Sequence, residues 1–285
     1  MLELLKPVTW FAPMWAFVCG VVSSGLAIAD NWLSIAAGIL LAGPLVCGTS
    51  QVVNDWYDRH VDAINQPDRP IPSGRMPGRS GLVFACAWTL LSLGVAWLLG
   101  PWVFWAAAVG MLLAWLYSAP PVRLKRNGWW GNLAVAGCYE GLPWFAGAAL
   151  MAANFPRAET VILAVLYSLG AHGIMTVNDF KSVEGDLRMG IRTLPVQLGI
   201  GGAARLTCFM MLFAQSIVII ALWTWGQPLY AGAVAVLSIA QVAVMPTFIN
   251  SPRERAPWFN GTGISLYVLG MLVSAFAVRS LSPLS

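Results

Sequence analysis

Charge is what this sequence has least of. Only 10% of its 285 residues are Asp, Glu, Lys or Arg, against about 25% in soluble domains. The remainder is 58% hydrophobic, with a mean hydropathy of +0.71. This excludes an ordinary soluble globular domain. Histidine is scarce, at two residues, and no CxxC pair occurs. The five cysteines, Cys19, Cys47, Cys86, Cys138 and Cys208, are scattered through apolar runs. That pattern argues against a disulfide framework or a thiolate metal site and reads them as small core residues. The short alternating segments of a β-barrel are missing too. The opening MLELLKPVTW has no basic leader, short apolar core and small-residue cleavage site, so the first span is expected to be retained.

What the chain does have is a succession of apolar runs, each long enough to cross roughly 30 Å of hydrocarbon as a helix. The expected fold is all-α: a polytopic membrane protein of about nine transmembrane helices in a bundle, forming a single domain over 1–285. Spans are expected at 9–29, 33–53, 80–99, 101–119, 130–152, 160–179, 203–225, 228–249 and 261–280. With this assignment, 14 of the 16 Lys and Arg residues fall on one side, leaving Arg157 and Arg279 on the other. The positive-inside rule then places the N-terminus and the long loops in the cytoplasm.

Most of the acids gather on that same side. NDWYDRHVD, following the second span, places Asp55, Asp58 and Asp62 at i, i+3 and i+7, on one helix face, with Asn54 at its edge. NDFKSVEGD, following the sixth span, repeats the spacing with Asp179, Ser182 and Asp186. Both clusters read N-D-x-x-(D/S)-x-x-x-D. One such cluster is compatible with a solvated, capped helix end; two at equivalent helix ends are much less so. Carboxylates stacked near a helix C-terminus repel one another and oppose the macrodipole, so they call for a cation. Oxygen-only ligands that share the ion with substrate phosphates suit Mg²⁺. Nearby Arg69, Arg75, Arg123, Lys125, Arg126, Arg188 and Arg192 can neutralise phosphate oxygens, with the Tyr117 hydroxyl beside them, although the positive-inside bias alone accounts for about half of these cations.

These residues resemble the UbiA superfamily of intramembrane prenyltransferases, over essentially the whole chain. The resemblance implies nine helices and two Asp-rich motifs, on helices two and six, that bind Mg²⁺ and a prenyl diphosphate. Carried over, Asn54, Asp55, Asp58, Asp62, Asp179 and Asp186 are the candidate metal residues, with Asp58, Asp62 and Asp186 central to catalysis. Arg69, Arg75, Tyr117, Lys125, Arg188 and Arg192 are the candidate diphosphate ligands. Ser182 stands where the family's second motif usually has Asp, and Asp179, one turn earlier, is the expected substitute. The blocks LKPVTWFAPMWAFVCGVVSSG, QVVNDWYDRHVDAINQPDRPIPSGR, YSAPPVRLKRNGWWGN and NDFKSVEGD look like the chlorophyll- and bacteriochlorophyll-synthase group of that superfamily. The similarity implies transfer of a geranylgeranyl or phytyl chain to the propionate of a (bacterio)chlorophyllide. It further implies a bacterial inner or intracytoplasmic photosynthetic membrane, lipid contacts, no nucleic acid, and partners in pigment biosynthesis or assembly. The short leader favours the bacteriochlorophyll branch.

Glu140 and His172 fall inside expected spans and are candidates by that fact alone. Glu140 is expected either to shape the site or to be neutral or ion-paired. His172 is read as a hydrogen-bonded core residue ahead of a pigment-magnesium ligand. The 15 Trp residues are read mainly as interfacial and lipid-facing. The competing readings are a prenyltransferase for a quinone precursor or haem, a transporter, and a pigment-binding structural protein. A cation transporter places its acids near the bilayer midplane, and a pigment carrier needs axial ligands rather than two acidic motifs.

Overall fold

Glycine, proline and short polar turns cut the apolar sequence into rods. In the computed structural model, which describes residues 1–281, the rods are α1 (Phe11–Ser23), α2 (Ala29–Asn65), α3 (Ser80–Leu99), α4 (Pro101–Ser118), α5 (128–152), α6 (Ala158–Lys181), α7 (Leu194–Thr224), α8 (Pro228–Asn250) and α9 (Pro252–Arg279). Each packs on the next in chain order, and α9 returns to α1, so the bundle closes as a ring. Among the described residues there is no strand; the only extended pairing is an isolated bridge between Asn127 and Arg192.

Nine rods are present among the described residues, but fewer than nine qualify as spans. Seven are long and apolar enough to cross a membrane, or eight if Leu2–Thr9 and Phe11–Ser23, bent by 59°, are counted as one. The ninth rod, α5, carries Tyr139 and Glu140 in its middle, which lowers its apolarity where a span needs it most. The expected first span is also too long: its helix stops at Ser23, and Gly25 takes a left-handed turn (φ +80°).

Three rods contain π-helical turns, which add a residue to the helical repeat and redirect the side chains that follow. In α2 this turn is Leu41–Cys47, around Pro44, whose missing N–H breaks the regular ladder. The turns in α5 and α9 are Gly137–Gly141 and Asn260–Ile264. In α7 the chain breaks at Gly199 (φ +71°).

Besides its ring neighbours, α1 packs directly against the second half of α5. A Cβ on Gly20 would lie 2.0 Å from the Trp144 carbonyl oxygen, and one on Gly147 would lie 2.1 Å from that of Phe17. Only glycine permits backbones to approach so closely, a mode of association suited to lipid, where apolar burial does not separate helix from solvent. Leu98, Leu229, Trp97 and Trp223 instead point outward and are largely exposed. Outward apolar side chains around a ring of apolar rods are the surface of an integral membrane protein.

Candidate active site

The first acidic motif occupies the last turns of α2 as a regular helix over Gly48–Asn65, as its spacing requires. Its carboxylates are already engaged by cations. Asp58 accepts from Arg123 Nη2 at 2.8 Å and from Lys125 Nζ at 2.5 Å. Lys125 also donates to Asn54 Oδ1 at 3.0 Å. Asp62 accepts from Arg69 Nη1 at 2.7 Å, and the same nitrogen reaches Asp55 Oδ1 at 3.2 Å. Lys6, from the amino-terminal segment, approaches Asp55 Oδ1 to 2.6 Å. Asp55 is buried, and its second oxygen has no hydrogen-bond partner.

Local backbone geometry aims these cations. Arg123 adopts a left-handed conformation (φ +42°) that starts the single turn Leu124–Arg126. That conformation costs a non-glycine residue about 1–2 kcal/mol, and it brings Arg123 and Lys125 to one carboxylate. Burial pushes the Lys125 ammonium below the usual lysine range, while Asp58 acts in the opposite direction.

The second motif departs from expectation. Thr176–Lys181 is a 3₁₀ turn, and Val183–Arg188 is a separate short helix, with Ser182 between them. Asp179, Ser182 and Asp186 therefore do not lie along one face of one helix. Ser182 Oγ donates to Asp186 Oδ2 at 2.7 Å, and Thr193 Oγ1 donates to the same oxygen at 3.3 Å. No hydrogen bond or ion pair engages the Asp179 carboxylate among the described residues. The loop whose Arg123 and Lys125 pair with Asp58 of the first motif also pairs its backbone, at Arg126, with Arg192 just after the second, which brings both motifs to one mouth beside Tyr117 at the end of α4.

A backbone bridge ties the loops of that mouth together. Gly128 N–H donates to the Arg192 carbonyl at 2.8 Å, and Arg192 N–H donates to the Arg126 carbonyl at 2.9 Å. A Cβ on Gly128 would lie 2.5 Å from the Leu194 nitrogen, so this crossing also requires glycine.

Below the mouth lies a cavity of about 240 Å³ between α2, α4 and α5. Asn54 and Tyr117 stand at its polar end, Ser50, Gln51 and Tyr139 follow, and Gly110, Ala114 and Ala134 line the apolar remainder. A smaller apolar cavity of about 30 Å³ adjoins it on the deeper side, sharing Val46, Gly110 and Cys138. Tyr139 is held by Gln51, whose Nε2 donates to its hydroxyl at 3.2 Å.

A family model described as the UbiA prenyltransferase family matches residues 9–269. The chain belongs to the UbiA prenyltransferase family. It is 55% identical over 284 residues to the bacteriochlorophyll synthase 33 kDa chain of Cereibacter sphaeroides, covering 100% of this chain and 94% of that relative. It is 40% identical over 287 residues to the chloroplastic chlorophyll synthase of Oryza sativa subsp. japonica, covering 97% and 76%. A solved UbiA homolog from Archaeoglobus fulgidus, bound to GPP and Mg²⁺, has a similar fold: TM-score 0.75 at 20% identity, over 98% of this chain and 99% of that one.

For this UbiA prenyltransferase, the structure gathers Asn54, Asp58, Asp62, Tyr117, Arg69 and Lys125 at the mouth, with Asp179 and Asp186 across from them. It redirects others. Arg75 is exposed and paired with Glu3 at 2.6 and 3.0 Å, and Arg188 and Arg192 are exposed at the rim. Glu140 and His172 do not line either cavity. Glu140 is buried with an unpartnered oxygen, and His172 Nε2 lies 3.1 Å from the Trp129 carbonyl, beside a stacked Trp129 ring. No Trp lines the cavities. Cys86 is exposed and Cys138 lines both cavities, correcting the uniform core reading of the cysteines. Among the described residues, no three His, Cys, Asp or Glu side chains form a group that could hold a metal ion; the first-motif carboxylates pair instead with Lys and Arg.

Sequence reasoning missed Lys6, Thr193, Gln51 and Tyr139. Gln51 lies one turn before Asn54 on the same helix and was discoverable from that spacing. Lys6 meets Asp55 across 49 residues of chain, a contact with no local signature.

Proposed function

We propose that this prenyltransferase transfers a geranylgeranyl or phytyl chain from its diphosphate to the propionate carboxylate of a chlorophyllide or bacteriochlorophyllide. The observation that carries the proposal is a cavity that begins at a mouth rich in carboxylates and cations, is lined there by Asn54, Gln51, Tyr117 and Tyr139, and becomes apolar below. It suits a substrate with a diphosphate head and a hydrocarbon tail. The 55% identity to a bacteriochlorophyll synthase chain supports the acceptor class. In this reading the protein sits in a bacterial inner or intracytoplasmic membrane with its mouth toward the cytoplasm.

The donor set fits Mg²⁺. Asn54, Asp58, Asp62, Asp179 and Asp186 offer only oxygen, and the Asp179 carboxylate is free of protein partners among the described residues. These are the residues that would hold it. Bound Mg²⁺ supplies Lewis-acid stabilisation of the leaving diphosphate. In this reading Lys125 and Arg69, which pair with Asp58 and Asp62, bind diphosphate oxygens, and Arg123 remains to restrain Asp58. The small residues below Tyr117 receive the chain and exclude water from its allylic C1. The C1–O bond to diphosphate breaks, diphosphate departs with the electron pair, and a carboxylate oxygen of the acceptor forms the ester bond to C1. The acceptor is already ionised, so no protein base is required.

The test offers purified protein, geranylgeranyl diphosphate and Mg²⁺ with chlorophyllide a, bacteriochlorophyllide a or homogentisate separately. Ester formed on a tetrapyrrole alone supports the proposal. Prenylation of homogentisate alone favours the quinone-precursor reading.

A further inference from the structure

The deeper cavity ends on a specific contact. Its lining descends α2 from Val46 to Gly38 and α4 from Gly110 to Val103, and α1 contributes only Phe17. Phe17 is 1% exposed, and its ring occupies the notch above Gly38. A Cβ on Gly38 would stand 2.1 Å from Phe17 Cζ. Val21, Ile35 and Leu41 belong to the same buried cluster and restrict the ring to that position. From Asn54 at the mouth to Gly38 at this floor is roughly 24 Å along α2, from sixteen residues at helical rise.

We infer that the Phe17 ring, seated over Gly38, is the floor of the donor cavity and sets the length of prenyl chain the enzyme transfers. The inference rests on the proposal that the prenyl diphosphate enters head-up at the acidic mouth. The lining suits the end of a linear occupant: beside Gly110, Ala106, Ala107 and Ala146 the space is only about 30 Å³, which takes a chain terminus and excludes a macrocycle. A geranylgeranyl tail lies mostly in the upper cavity, and only its terminal isoprene unit meets Phe17. A longer chain meets the ring, and a shorter one leaves apolar wall uncovered.

Two changes act in opposite directions. Phe17→Ala lowers the floor. Gly110→Leu raises it to about half depth, since Gly110 lies seven residues, or roughly 10 Å, from Tyr117 along α4. At Gly110 a Cβ meets only Leu142 and Val46 side-chain atoms at 3.7 Å, so added bulk extends into the passage without a clash at its base. Phe17→Leu retains more of the packing and should act in the same direction as Phe17→Ala, to a smaller extent.

The experiment presents full-length enzyme and chlorophyllide with an equimolar mixture of geranyl, farnesyl, geranylgeranyl and geranylfarnesyl diphosphates, and resolves the esters by mass. Wild type is expected to favour geranylgeranyl. Phe17→Ala and Phe17→Leu are expected to raise the geranylfarnesyl-to-geranylgeranyl ratio, and Gly110→Leu the farnesyl-to-geranylgeranyl ratio, by about tenfold or more for the larger changes. Active variants whose ratios match wild type would overturn the gauge while leaving the donor reading intact. Wild-type enzyme that forms no ester from any donor would overturn the underlying reading instead.

Discussion

Lys125 Nζ lies 2.5 Å from Asp58 Oδ2 and 3.0 Å from Asn54 Oδ1, so one ammonium joins two first-motif side chains at the cavity mouth. Arg123 holds the other oxygen of Asp58. Removing Lys125 therefore leaves Asp58 restrained while deleting the more buried cation. Lys125→Ala is expected to raise the apparent KM for the prenyl diphosphate by about tenfold or more, the worth of one charge-assisted hydrogen bond. The KM for the pigment should change little. Steady-state kinetics with each substrate varied in turn check this, and a selective rise in pigment KM would place Lys125 on the acceptor side.

Asp58 and Asp62 should differ from Asp55 in what their loss affects. Asp58→Ala and Asp62→Ala are expected to lower kcat/KM by about 100-fold or more, in the range seen when a preorganised electrostatic group is lost, well beyond what the loss of their ion pairs with partly buried cations takes from stability. Asp55 is buried and clamps Lys6 and Arg69, whose side chains are about a quarter exposed. Asp55→Ala should cost about 1–3 kcal/mol of stability, less than a fully buried pair. Thermal melts alongside ester assays separate the two kinds of effect.

The second motif should show coupling through hydroxyls. Ser182 and Thr193 both donate to Asp186 Oδ2. Ser182→Ala is expected to reduce turnover by no more than about tenfold, since one hydrogen bond is lost and a second donor remains. Ser182→Ala combined with Thr193→Val should cost more than the sum of the single changes, as expected for side chains sharing one partner. Asp179→Ala and Asp186→Ala should each be severe. A Ser182→Ala loss equal to that of Asp186→Ala would give the hydroxyl a direct role in binding.

The pH dependence should reflect the acceptor's chemistry. A propionate resembles a Glu side chain, with a pKa of about 4.3, so it is already deprotonated throughout the range of about pH 6.5 to 8.5. With Mg²⁺ and both substrates saturating, kcat is expected to stay flat across that range. A steep rise with pH would indicate that a protein base takes part.

The reach of the sequence can be read from these same residues. Asn54, Asp58 and Asp62 were legible because a regular helix converts i, i+4 and i+8 spacing into one face, and α2 is regular over its last 18 residues. The second motif repeats the letters, but Ser182 interrupts the helix, so equal spacing did not mean equal geometry. Span ends were misplaced where π turns and left-handed glycines intervene, as at Gly25 and Gly199, because apolarity continues through them. The partners of the carboxylates were the least legible. Charge counting grouped most Arg and Lys with the acidic motifs but could not assign Lys6 to Asp55 or Arg75 to Glu3, contacts made across 49 and 72 residues of chain.

The most direct test of the central claim is Mg²⁺-dependent ester formation by purified wild-type protein, Asp58→Ala and Asp186→Ala, each assayed with geranylgeranyl diphosphate and bacteriochlorophyllide a. If both motifs hold one metal-bound diphosphate, wild type forms the geranylgeranyl ester only when Mg²⁺ is present, EDTA abolishes it, restored Mg²⁺ recovers it, and neither variant approaches the wild-type rate at any Mg²⁺ concentration. Full-rate ester formation in EDTA, or in either variant, would contradict the account.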